Sequence, residues 1–84
     1  MIPPNIRREH VLKAIKEIDK YGIPPGRNAR KYFVEYNGKL YPPKLVISKA
    51  NKYANGDELP PSMFTGGDET NNYLKRLGFK IVEV

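Results

Sequence analysis

Val11, Leu12, Ile15 and Ile18 recur at the spacing of one helical face, with Lys13, Lys16, Glu17 and Lys20 opposite them. The pattern predicts a first helix starting near Ile6, capped by Asn5, with Glu9 in the first turn where a carboxylate suits the helix dipole. Gly22 supplies the stop, and Pro24-Pro25 keep the helix from resuming. The mixed charges on the outer face read as solvated scaffold. After a basic loop, Gly26 to Lys31, the pattern changes. Tyr32-Phe33-Val34-Glu35-Tyr36 is aromatic and β-branched, as a strand should be. Asn37-Gly38 is the sequence of a type I′ hairpin turn, and Lys39-Leu40-Tyr41 returns as the second strand. A two-residue turn sets Val34 opposite Tyr41 and Tyr36 opposite Lys39.

Pro42-Pro43 ends that strand and opens a second helix, because proline costs nothing in a first turn whose N–H groups have no helical partner. Leu45, Val46, Ala50 and Tyr53 are expected inward, with Lys44, Lys49 and Lys52 outward. Asn55-Gly56 closes the helix. Residues 57–67 read as an irregular loop anchored by Met63-Phe64. Asp68 to Leu77 form a third helix with Tyr73, Leu74 and Leu77 inward, stopped by Gly78. Phe79 to Val84 alternate as a last strand, with Phe79, Ile81 and Glu83 on one face. The order α-β-β-α-α-β predicts a compact α+β domain, a three-stranded antiparallel sheet packed with helices. Residues 1–84 read as one domain. A final strand with no polar tail reads as an N-terminal domain excised from a longer protein.

Charge adds a direction. The net charge is +6. Twelve Lys and Arg against four acids fall in residues 1–54, and three against five in the remainder. Such a basic half suits a polyanion, nucleic acid above all, although lysines also solvate helix surfaces. A chain of 84 residues buries too little to enclose a deep active site. No apolar run is long enough to span a bilayer, and Met1-Ile2-Pro3-Pro4 does not resemble a signal peptide. Without cysteine there is neither a disulfide framework nor a thiolate metal site, which points to a reducing cytoplasmic compartment. The absence of glutamine and the abundance of Lys, Glu and Ile lean toward a thermophilic source.

Little in the chain suggests catalysis. His10 is the single histidine and has no imidazole or thiolate partner, so it reads as structural or surface. No nucleophile, base and orienting group can be assembled, and the acids at 57, 58, 68 and 69 match no metal-ligand spacing. The expectation is a domain with no catalytic residues, no metal and no cofactor. Arg27, Arg30 and Lys31 are the best phosphate candidates, on a loop beside aromatic strands. Tyr41 and Lys44 flank the rigid Pro42-Pro43 corner, and Lys44 opposes its own helix dipole unless its ammonium meets a ligand. Lys49 extends the same basic helix face. Gly66-Gly67 ahead of a helix could expose N–H groups to phosphate, but Asp68 and Glu69 follow at once, so a turn that docks Phe64 is the preferred reading. Thr65, Asn71 and Asn72 remain as base or backbone contacts.

The run Gly26-Arg27, Tyr32, Tyr36-Asn37-Gly38-Lys39-Leu40-Tyr41-Pro42-Pro43-Lys44-Leu45-Val46-Ile47 and Ala50-Asn51 resembles a small domain at the N-terminus of modification-dependent restriction endonucleases. Phe64-Thr65-Gly66-Gly67-Asp68-Glu69-Thr70-Asn71, with Leu74 and Leu77-Gly78-Phe79, carries the same resemblance. Such domains precede McrA-like HNH nucleases or McrB-like AAA+ GTPases that cut DNA bearing modified cytosines. The resemblance implies a DNA-recognition or DNA-positioning module, with duplex DNA, methylated or not, and a downstream nuclease or AAA+ domain as partners. Neither HNH residues nor a nucleotide-binding loop occur in this chain, so cleavage would lie elsewhere. In so small a domain, groove or backbone contact is expected over deep capture of a base. Two alternatives stay open: a protein-interaction module using Tyr32, Tyr36 and Tyr41, and an RNA-binding domain.

Overall fold

In the computed structural model, which describes all 84 residues, the first helix α1 covers Arg8–Tyr21 and buries Val11, Ala14, Ile15 and Ile18. It begins two residues later than expected. Its start is held by the backbone N–H of Arg7 donating to His10 Nδ1 at 2.9 Å, which gives the lone histidine a structural task. Asn5, the expected cap, instead exchanges amide hydrogen bonds with Asn55. Gly22 terminates the helix at φ 83°, its N–H donating to Ile18 O.

The hairpin forms as its turn sequence requires. Strands β1 (Tyr32–Tyr36) and β2 (Lys39–Tyr41) pair antiparallel with Val34 opposite Tyr41 and Tyr36 opposite Lys39. Asn37 and Gly38 both take positive φ, 51° and 76°. The last strand, β3 (Lys80–Glu83), pairs antiparallel with the free edge of β1, placing Val34 opposite Ile81 and Tyr32 opposite Glu83. The sheet order is β2-β1-β3. The structure is therefore α+β in the order α-β-β-α-α-β, with a short 3₁₀ turn (Pro61–Met63) before the last helix.

Helix α2 (Pro43–Asn55) is the centre of the core, burying Leu45, Val46, Ile47 and Ala50 between α1 and the sheet. It also holds the long loop. Leu59 N–H donates to Ser48 O, Ser48 Oγ donates to Leu59 O, and Asn51 Nδ2 donates to Asp57 O. Helix α3 (Asp68–Arg76) buries Leu74 and Thr70. No helix is long and apolar enough to cross a membrane.

Several inward and outward assignments need correction. Tyr53 lies at the surface, because its hydroxyl reaches across the α1 face to donate to Glu17 Oε1 at 2.6 Å. Lys49, expected outward, has a side chain only 12% exposed, held between Glu17 (2.9 Å) and Glu58 (3.3 Å). Tyr41 is buried and donates to Asp19 Oδ1 at 2.7 Å. Burial first, and then that donated bond, push its phenol up to about 12. Tyr41→Phe should cost about 1 kcal/mol, since Asp19 is exposed enough to regain water. Urea titration of the two proteins checks this, and an unchanged midpoint would show the bond to be idle. The N-terminal Ile2 and Ile6, which no periodicity marks, are also core residues.

Candidate nucleic-acid interface

Two proline- or glycine-led helix starts that are distant in sequence meet in space. The openings of α2 (Pro42, Pro43, Lys44) and α3 (Gly66, Gly67, Asn71) line one cleft of about 180 Å³. Arg27, Asn28, Ala29 and Tyr32 close its remaining side. Each wall has a local cause. Proline at the first position of α2 presets the helical φ, and neither helix has a side-chain cap. First-turn N–H groups of both helices are thus left without the usual capping oxygen. Gly67 adopts φ 62°, ψ −128°, a conformation essentially reserved for glycine. Gly66 lies where an added Cβ would touch the Lys44 stem at 3.5 Å.

The hydrogen bonding inside the cleft is incomplete. Asn71 is 6% exposed and its Oδ1 is buried without a partner. The Nη2 of Arg27 is buried without a partner as well, and no carboxylate lies within ion-pairing distance of that guanidinium. Buried polar atoms are nearly always paired, so two orphans in one recess leave a network for water or a ligand to complete.

No acid lines the cleft. The carboxylate of Glu69, expected to repel anions from the α3 start, is turned back on its own loop. It accepts from Thr65 N at 2.8 Å, from Thr65 Oγ1 at 2.9 Å and from Ile2 N at 3.3 Å. The Thr65 backbone bond, more than any other, holds this carboxyl below the usual range. Phe64 is docked in the core as the turn reading requires.

Of the nine contact candidates, Arg27, Lys44 and Asn71 line the cleft. Arg30 is exposed on the adjoining loop, and Lys31 is exposed but bridged to Glu83 at 3.3 Å. Thr65 and Asn72 are exposed outside the cleft. Tyr41 and Lys49 are withdrawn into the fold. Lys44 is not a free ammonium: it donates to Pro61 O at 2.7 Å and sits 4.8 Å over the Phe64 ring. Tyr32, which the sequence marks only as part of an interaction patch and of the family-like run, supplies the exposed aromatic that Tyr41 was expected to be. With Tyr41 buried and Tyr36 packed against Phe79, ring centres 6.1 Å apart, the three tyrosines form no common surface patch.

A second recess of about 470 Å³ runs between α1 and α2, lined by Lys13, Lys16, Lys20, Lys52, Tyr21, Tyr53 and Glu17. Its one carboxylate is spoken for by Lys49, Lys52 and Tyr53. Lys13, Lys16 and Lys20 have no acidic partner. The face expected to be plain scaffold is thus the most cationic groove of the molecule.

Fold and cleft together define a small α+β module, three helices on a three-stranded sheet with an acid-free recess between two uncapped helix starts. The chain belongs to the ScoMcrA-like N-terminal head domain family, whose model matches residues 4–83. It is also similar to the solved structure of the type IV phosphorothioation-dependent restriction endonuclease ScoMcrA, at 31% identity and a TM-score of 0.68. That likeness covers 95% of this chain and 13% of the other. No curated protein matches the chain. The expected kinship with N-terminal domains of modification-dependent restriction enzymes is thereby borne out.

Proposed function

We propose that this domain binds duplex DNA and positions it for a restriction endonuclease of the modification-dependent kind, with cleavage carried out by another part of the protein. The observation that carries the reading is the cleft flanked by Arg27, Arg30 and Lys44, which no carboxylate lines and in which the Arg27 guanidinium has no protein partner. Guanidinium and uncapped helix starts are the groups proteins use on phosphate oxygens. The cationic groove between α1 and α2 supports the same reading, because it can follow a phosphate backbone without reading sequence. The likeness to ScoMcrA supports restriction as the setting.

Arg30→Ala, on the exposed loop beside the cleft, should weaken duplex binding about tenfold, equally for all sequences, and lower the slope of log K against log salt by about 0.9. Fluorescence anisotropy from low to moderate salt reads both quantities. Failure of methylated, phosphorothioated and unmodified duplexes alike to bind at low salt would remove DNA as the partner. A preference for single-stranded RNA would move the reading to the RNA alternative.

A further inference from the structure

The orphaned atoms of the cleft are not chemically alike, and the difference bears on what fills it. Arg27 offers only donors. Asn71 carries an acceptor and a donor on one amide, Oδ1 and Nδ2, and its Oδ1 is buried and unpaired. The side-chain amide of Asn71 makes no hydrogen bond to the protein, while its backbone N–H is used by Gly67 O at 2.8 Å. A phosphate presents acceptors only. It would satisfy Arg27 and the Asn71 N–H groups but leave the Asn71 carbonyl without a donor. A planar heterocycle with donors and acceptors side by side answers both groups at once, as in the pairing of arginine and asparagine with base edges.

Size and surroundings agree. About 180 Å³ is below the roughly 300–1,000 Å³ of sites for drug-sized ligands, room for a single ring system. Tyr32 lines the cleft with 37% of its surface open, a platform on which such a ring can stack. Thr70 does not compete, because its hydroxyl is committed to Thr65 O at 2.6 Å. Lys44 is held by Pro61, so it shapes the wall and does not enter the space.

We propose that the cleft accepts one nucleobase, unpaired or turned out of the duplex, hydrogen-bonded by Asn71 and Arg27 and stacked on Tyr32. The proposal rests on the DNA-binding reading for its biological source, though the chemistry of the recess is independent of it. An unpaired or mismatched base costs least to turn out, so it enters first.

The test has two arms. Titrating the isotopically labelled chain with free deoxyguanosine, deoxyadenosine, deoxycytidine and thymidine, each to high millimolar concentration, should shift the NMR signals of Asn71 Nδ2, the Arg27 guanidinium and the Tyr32 ring with at least one of them. Inorganic phosphate should leave the Tyr32 ring unmoved. Shifts with phosphate alone, or with none of these probes, overturn the proposal. In the second arm, a duplex with one unpaired base should bind about tenfold more tightly than the perfect duplex. Asn71→Ser should erase that preference while keeping the salt slope. If the perfect duplex binds with a steep slope and no preference appears, the base pocket is refuted and DNA binding stands. If no duplex binds, DNA as the partner is refuted, and the nucleoside shifts alone decide the pocket.

Discussion

Replacing Glu17 with Ala is expected to lower the thermal midpoint by about 10 °C or more. Its side chain is 13% exposed and accepts three hydrogen bonds, from Lys52 Nζ at 2.6 Å, Tyr53 OH at 2.6 Å and Lys49 Nζ at 2.9 Å. Removal would leave Lys49, itself only 12% exposed, with Glu58 alone at 3.3 Å. Truncating one partner of a buried ion pair costs about 3–5 kcal/mol and an exposed pair at most about 1, so roughly 2–3 kcal/mol is expected here. In a domain of this size each kcal/mol moves the midpoint by about 4–8 °C. The Lys52 bond foremost, then Tyr53 and Lys49, hold the Glu17 carboxyl down to about 2 from an unfolded value near 4.5. A depressed carboxylate contributes its full stability above the unfolded value and loses it as pH falls toward the folded one. The parent protein should therefore lose stability between about pH 4.5 and 2 more steeply than Glu17→Ala. Parallel melting curves across that window, separated by no more than about two degrees, would show that the clamp is ornamental.

Reversing Lys16 and Lys20 to Glu should cut duplex affinity roughly 100-fold at low salt and lower the salt slope by about two contacts' worth. Both side chains are exposed on the α1 face of the lysine groove and pair with no acid, so neither is part of the core. Circular dichroism should be unchanged while anisotropy shows the loss. Retained affinity would confine the contact surface to the cleft and its loop. The double reversal should also leave the preference for an unpaired base intact, because neither residue lines the cleft.

Much of the architecture is legible in the sequence, and for local reasons. Asn37-Gly38 admits almost one turn, and that turn dictates the Val34–Tyr41 register found here. Proline at the head of α2 and glycine behind α1 and α2 bracket helices whose stripes repeat at 3.6 residues. What periodicity conveys is a face, not its neighbour. Lys49 and Tyr53 sit on the flank of α2, where a residue is inside or outside according to what α1 places there, and Glu17 decided both. Ile2 and Ile6 precede any repeating element, so nothing in the pattern marks them as core. The two blocks later found lining the cleft were each conspicuous alone. Their meeting, and the turning of Glu69 back onto Thr65, are tertiary facts that no spacing encodes.

The stitching of the last strand to the basic loop offers a practical vantage point. Val84 N–H donates to Lys31 O at 2.7 Å, Lys31 bridges to Glu83, and Glu83 is the strand partner of Tyr32. A dye attached beyond Val84 would thus sit close to Tyr32. Its quenching would report each arrival and departure of a ligand in real time, on an otherwise unaltered surface.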